Sequence, residues 1–171
     1  MIAAMHARHQ VKLRKAVHVF CAGHFITLRD DLCEPVHGHN WTVGVDVEGP
    51  VGPHGMVVDF LVLRDATTAI VAGLDHKMLL PTGNRFLHVG TSVGPLGGHE
   101  VTVTFADRRW VFPADECVLL PIMNTTAEWI ASWIGQQLLE SLASAGEPTP
   151  ATIRVEVDEC LGQSAVWERS V

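Results

Sequence analysis

Apolar and polar residues alternate along "QVKLRKAVHVFCAGHF", residues 10–25, and several of the apolar ones are β-branched. A period of two predicts a strand with one face on a core. "WTVGVDVEG", residues 41–49, alternates in the same way and predicts a second strand, with "ITLRDDLCEPVHGHN" between them as a long connection or ragged strand ends. "GPVGPHG", residues 49–55, is a turn cluster. The period then changes. Phe60, Leu63, Thr67, Ile70, Val71 and Leu74 recur at helical spacing, with Asp59 placed to cap the N-terminus. A second helix is predicted over about residues 125–143, where Ile130, Trp133, Ile134, Leu138 and Leu142 form the apolar stripe and Thr125-x-x-Glu128 reads as a capping box. Phe60, Trp129 and Trp133 read as core residues.

Between the helices, "EVTVTFADRRWVFP" predicts a hairpin turning at Ala106-Asp107, and "ECVLLP" a short extended run. After the break "SAGEPTP", "ATIRVEVDE" and "SAVWER" predict a terminal pair of strands. There are no heptads, low-complexity tracts or solenoid repeats. Strands, helix, hairpin, helix and strands in that order predict an α+β fold with an antiparallel sheet, in one domain over residues 1–171.

Composition narrows the function. With 47% apolar and 18% charged residues the chain has the makings of a compact core. The net charge of −7 argues against nucleic-acid binding, which needs clustered Lys and Arg. The one local basic run, "KLRK" at Lys12–Lys15, reads as the solvent side of a strand. "MIAAMHARHQVKLRK" lacks the apolar region of a signal peptide, and no apolar run approaches membrane-spanning length. Cys21, Cys33, Cys117 and Cys160 show no C-x-x-C spacing, so reduced thiols in a cytoplasmic protein are expected.

Chemistry concentrates in "CEPVHGHN", residues 33–40. Residues two apart on a strand share a face, so His37 and His39 are aimed together, with Gly38 allowing close approach. On the preceding strand, Phe20, Ala22 and His24 share a face. Antiparallel pairing of the two strands would bring three imidazoles together, the donor set of a catalytic zinc with an open position. Spacing alone also allows the plainer reading, because H-x-H occurs by chance in a chain with ten histidines.

Six short motifs then fall in order: "FCAGHF", "CEPVHGH", "GMVVDF", "LDHKML", "NTTAEW" and "VDEC". The series, spanning residues 20–80 and 124–167, resembles the 6-pyruvoyl-tetrahydropterin synthase family, which includes the 6-carboxytetrahydropterin synthases of queuosine biosynthesis. The resemblance implies the T-fold, a four-stranded antiparallel sheet with two helices on one face. It implies rings of subunits, two trimers making a hexamer, with sites at subunit interfaces. It implies a pterin substrate, 7,8-dihydroneopterin triphosphate, converted by a zinc-dependent lyase. By the same carry-over His24, His37 and His39 hold Zn²⁺, and Cys33 is catalytic with Asp75 and His76 as its partners. Glu159 anchors the pterin and Thr126 touches it.

Two features depart from the family pattern. Glu34 follows Cys33 directly, and a folate-serving branch of the family is similar in placing glutamate there and yields 6-hydroxymethyl-dihydropterin. The product therefore depends on whether Cys33 or Glu34 acts, and the forming of 6-pyruvoyl-tetrahydropterin or plain pterin binding are the other outcomes the resemblance allows. Residues 82–122, with the hairpin at about 99–112, are longer than the short loop typical of the bacterial enzymes.

Overall fold

The computed structural model describes residues 8–29 and 32–170, so the first seven residues of the N-terminal stretch lie outside it. In chain order the elements are β1 (His9–His24), the short pair β2 (Thr27–Leu28) and β3 (Leu32–Cys33), β4 (His37–Gly49) and α1 (Phe60–Leu74). There follow β5 (Lys77–Pro81), β6 (His88–Val93), β7 (His99–Phe105), β8 (Arg108–Pro113) and β9 (Cys117–Leu120). The chain closes with α2 (Ala127–Ser144), β10 (Thr152–Cys160) and β11 (Gln163–Ser170).

Four antiparallel strands, β11-β10-β4-β1, form the sheet that the alternation predicts. Beyond β1 it continues with two short parallel strands, β5 and β9. After Lys77, "MLLP" and "CVLL" are short apolar runs without alternation; β5 is buried from Met78 on, while β9 is buried only at Leu120. The period-two signal is absent there, which is why β5 escaped the sequence reading.

Both helices pack on one face of the sheet. Leu63, Val71 and Leu74 of α1 and Ile130, Ile134 and Leu138 of α2 meet Phe20, Trp41, Val43, Val45 and Val155 in one apolar cluster. Each fully buried aliphatic side chain of this kind stabilises by about 1.5–3 kcal/mol. The opposite face is polar: Arg14 pairs with Asp46 at 3.0 Å and Glu156 at 3.3 Å. Asp59 caps α1 as expected, its Oδ1 accepting the Leu61 N–H at 2.7 Å. Phe60 and Trp129 are corrections: they stand 51% and 43% exposed at the first turns of their helices, where the apolar stripe has not yet reached the sheet. Trp133 packs at the core margin.

The capping box is also corrected. Thr126, not Thr125, is the N-cap of α2, and it makes no side-chain cap bond. Thr125 is fully buried and its hydroxyl donates to the Phe25 carbonyl at 3.0 Å. A tertiary bond has won over the local one.

A register irregularity in β1 between Arg14 and Val19 decides where His24 points. Leu13 pairs with Val45 and His24 with His37, eleven residues along β1 but eight along β4. Strict alternation over all eleven residues would turn His24 away from the face that holds Leu13; the irregularity takes up the odd three. The bulge keeps both inside.

The hairpin of β7 and β8 turns at Ala106-Asp107 as expected, and β6 joins it to make a three-stranded sheet. Its inner face has an apolar cluster of its own, in which Val101, Val103 and Phe105 meet Phe25, Cys33 and Leu80. Among the described residues no helix is long and apolar enough to cross a membrane. All four cysteines are free.

Candidate active site

The end of the β1–β4 ladder sets the site. His24 lies opposite His37, and Ala22 opposite His39, so alternation puts all three imidazoles on the helix side of the sheet. Ring centroids lie 4.5 Å apart for His24 and His37, 5.2 Å for His24 and His39, and 4.9 Å for His37 and His39. Trp41, fully buried, forms the floor, with its ring edge-on to His24 and His39 at 5.0 and 5.3 Å.

Hydrogen bonds aim the rings. His24 Nδ1 lies 2.9 Å from the Thr125 carbonyl, and His37 Nδ1 2.9 Å from the Pro35 carbonyl. A carbonyl only accepts, so these partners assign the proton to Nδ1 and leave Nε2 with a bare lone pair on both rings. Burial, then the neighbouring His37 and His39, hold the His24 pKa down to about 4 against the opposing pull of the Thr125 carbonyl, so the ring is neutral.

The two bare Nε2 atoms face each other at 3.1 Å. His39 Nε2 is buried without a hydrogen-bond partner. Glu159 Oε1 lies 3.4 Å from His24 Nε2 and 3.3 Å from His39 Nε2. One ligand atom from each of these four residues falls within 4.8 Å of every other. Acceptor atoms gathered this closely repel unless a cation lies among them, so the residues present fit a divalent metal ion. The sequence expected Glu159 on the pterin; the structure places its carboxylate beside two of the imidazoles. Glu159 also lines a cleft of about 310 Å³ together with Thr126, Glu128 and Gln163.

The other expected residues are less gathered. Cys33 is 2% exposed, sunk in the apolar cluster of the inserted sheet, and its Sγ lies 3.6 Å from the Glu34 carbonyl. Burial pushes its thiol up by more than the Arg108 guanidinium pulls it down. Glu34 follows on the same chain, half-buried, with its N–H donating to the Ile26 carbonyl at 3.0 Å. Asp75 and His76 form a pair at 2.9 Å, but they sit against Cys21, whose N–H donates to Asp75 Oδ1 at 2.7 Å. That bond, then the His76 ring, holds the Asp75 carboxyl below its usual range. His76 has a left-handed backbone (φ 56°) and an exposed side chain. Within one chain, neither residue bonds to Cys33.

Four residues have places at the site that the local sequence pattern does not give. Asn124 makes a reciprocal amide pair with the Thr27 backbone, and Thr125 holds both His24 Nδ1 and the Phe25 carbonyl, so the start of α2 fixes the end of β1. Glu128, read as a cap, and Gln163 line the cleft. A cap pattern beside an otherwise unexplained Asn was the available signal.

Comparison with known proteins agrees with this geometry. A family model described as 6-pyruvoyl tetrahydropterin synthase matches residues 12–170. A Pyrococcus abyssi protein provisionally named 6-carboxy-5,6,7,8-tetrahydropterin synthase is 32% identical over 82% of this chain and 79% of its own. A Methanocaldococcus jannaschii protein of the same provisional name is 27% identical over 80% of this chain and 82% of its own. Among solved structures, 6-pyruvoyltetrahydropterin synthase from Plasmodium vivax superposes with a TM-score of 0.85 at 26% identity, covering 96% of this chain and 99% of its own. These relatives point to a tetrahydropterin synthase type of function. The chain belongs to the 6-pyruvoyl tetrahydropterin synthase family.

Proposed function

We propose that this protein is a zinc-dependent lyase acting on 7,8-dihydroneopterin triphosphate, with 6-carboxy-5,6,7,8-tetrahydropterin as its product, the activity for which its archaeal relatives are named. One observation carries the reading: three imidazoles and a carboxylate converge within 4.8 Å beside a cleft that the same carboxylate lines. His24, His37 and His39 would hold the ion, which when bound lowers the pKa of substrate hydroxyls and stabilises developing negative charge on them.

The chain's own residues do the rest. Glu159 accepts the ring N–H and exocyclic NH₂ of the pterin edge, a two-point charge-assisted contact, with Thr126 beside it in the cleft. His76, oriented by Asp75 through Nδ1, keeps Nε2 free to move a proton. Because that pair is exposed and stands apart from its own Cys33, a site at the junction of two copies suits it, in keeping with a homo-oligomer of two trimers.

A second reading concerns the residue that moves the first proton. Cys33 is buried with its thiol held protonated, and one Plasmodium vivax structure is of a mutant in which a glutamate, described as the catalytic residue, is replaced. These favour Glu34 as the base, with 6-hydroxymethyl-dihydropterin as product. Incubating metal-loaded protein with 7,8-dihydroneopterin triphosphate and weighing the pterin formed decides between them. Loss of turnover in Cys33→Ala alone supports the thiol route; loss in Glu34→Ala alone supports the carboxylate route. Unchanged substrate with fully loaded wild type rejects both.

A further inference from the structure

The inserted three-stranded sheet reaches the site loop at three points. Arg108, at the start of β8, donates from Nη1 to the Cys33 carbonyl at 2.8 Å, across 75 positions of sequence. Trp110, two residues on, stacks on Phe25 with centroids 4.9 Å apart and planes 21° apart, and Phe25 adjoins His24. Val101, Val103 and Phe105 of β7 close over the Cys33 side chain. Thr27 pairs with Cys33 and Leu28 with Leu32, so β2 and β3 give this loop only a two-residue ladder. A ladder that short does not hold a loop in one register; the sheet beneath it does.

We infer that the inserted sheet is a specificity element: Arg108 pins the Cys33 backbone so that the thiol packs inward and Glu34 is the side chain left to act on substrate. The inference rests on the second reading of the lyase site, in which Glu34 is the base. Glu34 directly follows β3, and its N–H donates to the Ile26 carbonyl at 3.0 Å, so the ladder runs on by one bond and fixing the direction of Cys33 sets that of Glu34. Arg108 is a positioning residue here. Its guanidinium is occupied by a main-chain carbonyl, and it acts through the orientation of the loop.

The test is alkylation of the native metal-loaded protein with iodoacetamide, read cysteine by cysteine by peptide mass, alongside the product distribution. In wild type, Cys33 should react at least about tenfold more slowly than exposed Cys160. Arg108→Met should speed labelling of Cys33 and raise the share of product that Cys33→Ala abolishes. Arg108→Lys, which keeps a donor, should bring both back toward wild type. If Arg108→Met does not fold, Trp110→Leu loosens the same seam and is read the same way. Labelling of wild-type Cys33 at the rate of Cys160, or a release of Cys33 with no change of product, overturns the inference. If no pterin product forms with any variant, the lyase reading and the specificity role fall together. A Cys33 still slow to label would then leave the sheet as a structural clamp alone.

Discussion

His24 and His37 are register partners across the β1–β4 ladder, and their Nε2 atoms stand 3.1 Å apart with both Nδ1 atoms already committed to carbonyls. Neither nitrogen has a proton to offer the other, so the pair fits a shared cation better than a hydrogen bond. His37→Ala should therefore weaken metal binding by more than about 100-fold, since even the outer partners of metal ligands are worth ~10–100-fold. Competition against a chromophoric chelator measures it. An unchanged affinity would mean that the imidazoles do not hold the ion.

The metal-free protein should lose stability in mild acid. His24 titrates near 6.5 in the unfolded chain and at about 4 in the fold. Between those values the unfolded chain binds a proton that the folded chain refuses, so stability falls as pH drops through that window and levels off below it. The melting temperature of apoprotein recorded from pH 7 to 4 should decline, and His24→Gln should flatten the curve. A variant that keeps the full wild-type slope would contradict this.

The fold's main lines and three residues of the candidate site are legible in the sequence for one shared reason. Period-two alternation marks β1, β4, β10 and β11, and the same alternation aims His37 and His39 together. What escapes is whatever depends on partners distant in sequence. Thr125 carries a cap pattern, yet its hydroxyl goes to Phe25, 100 positions away. β5 is a short apolar run without a period. Nothing local to Arg108 tells that it reaches Cys33, and only packing reveals that Phe60 stands in solvent.

Gly135 offers a test of packing against propensity. It lies inside α2, where Gly→Ala ordinarily stabilises a helix by about 1 kcal/mol. A Cβ there would run into the Trp167 ring of β11. Overpacking of this kind costs about 1–3 kcal/mol, so steric conflict should win and Gly135→Ala should be less stable in urea. A more stable variant would show that the α2–β11 seam gives way easily.

Trp41 supports both the core and the imidazoles. It is fully buried, lies nearly parallel to Phe20 at 5.9 Å and touches His24 and His39 edge-on. Trp41→Ala should cost about 3–5 kcal/mol in chemical unfolding. Trp41→Phe should recover most of that stability while still weakening the hold on metal, because the smaller ring leaves the floor beneath the imidazoles open. Equal metal affinity in Trp41→Phe and wild type would confine the residue to a packing role.

In the proposed function, Glu159 serves both the ion and the pterin. Glu159→Gln keeps the shape and removes the charge, so metal affinity should fall by about tenfold and KM for the pterin should rise. A rise in KM with metal affinity untouched would place Glu159 on the substrate alone.

The identity of the atoms around a bound ion bears most directly on all of this. X-ray absorption at the zinc edge of loaded, substrate-free protein should show only nitrogen and oxygen neighbours at about 2.0–2.2 Å, with the outer-shell pattern of three imidazoles. A sulfur neighbour at about 2.3 Å would mean that Cys33 leaves its apolar cluster to close the site, and the open, catalytic centre described above would be the wrong one.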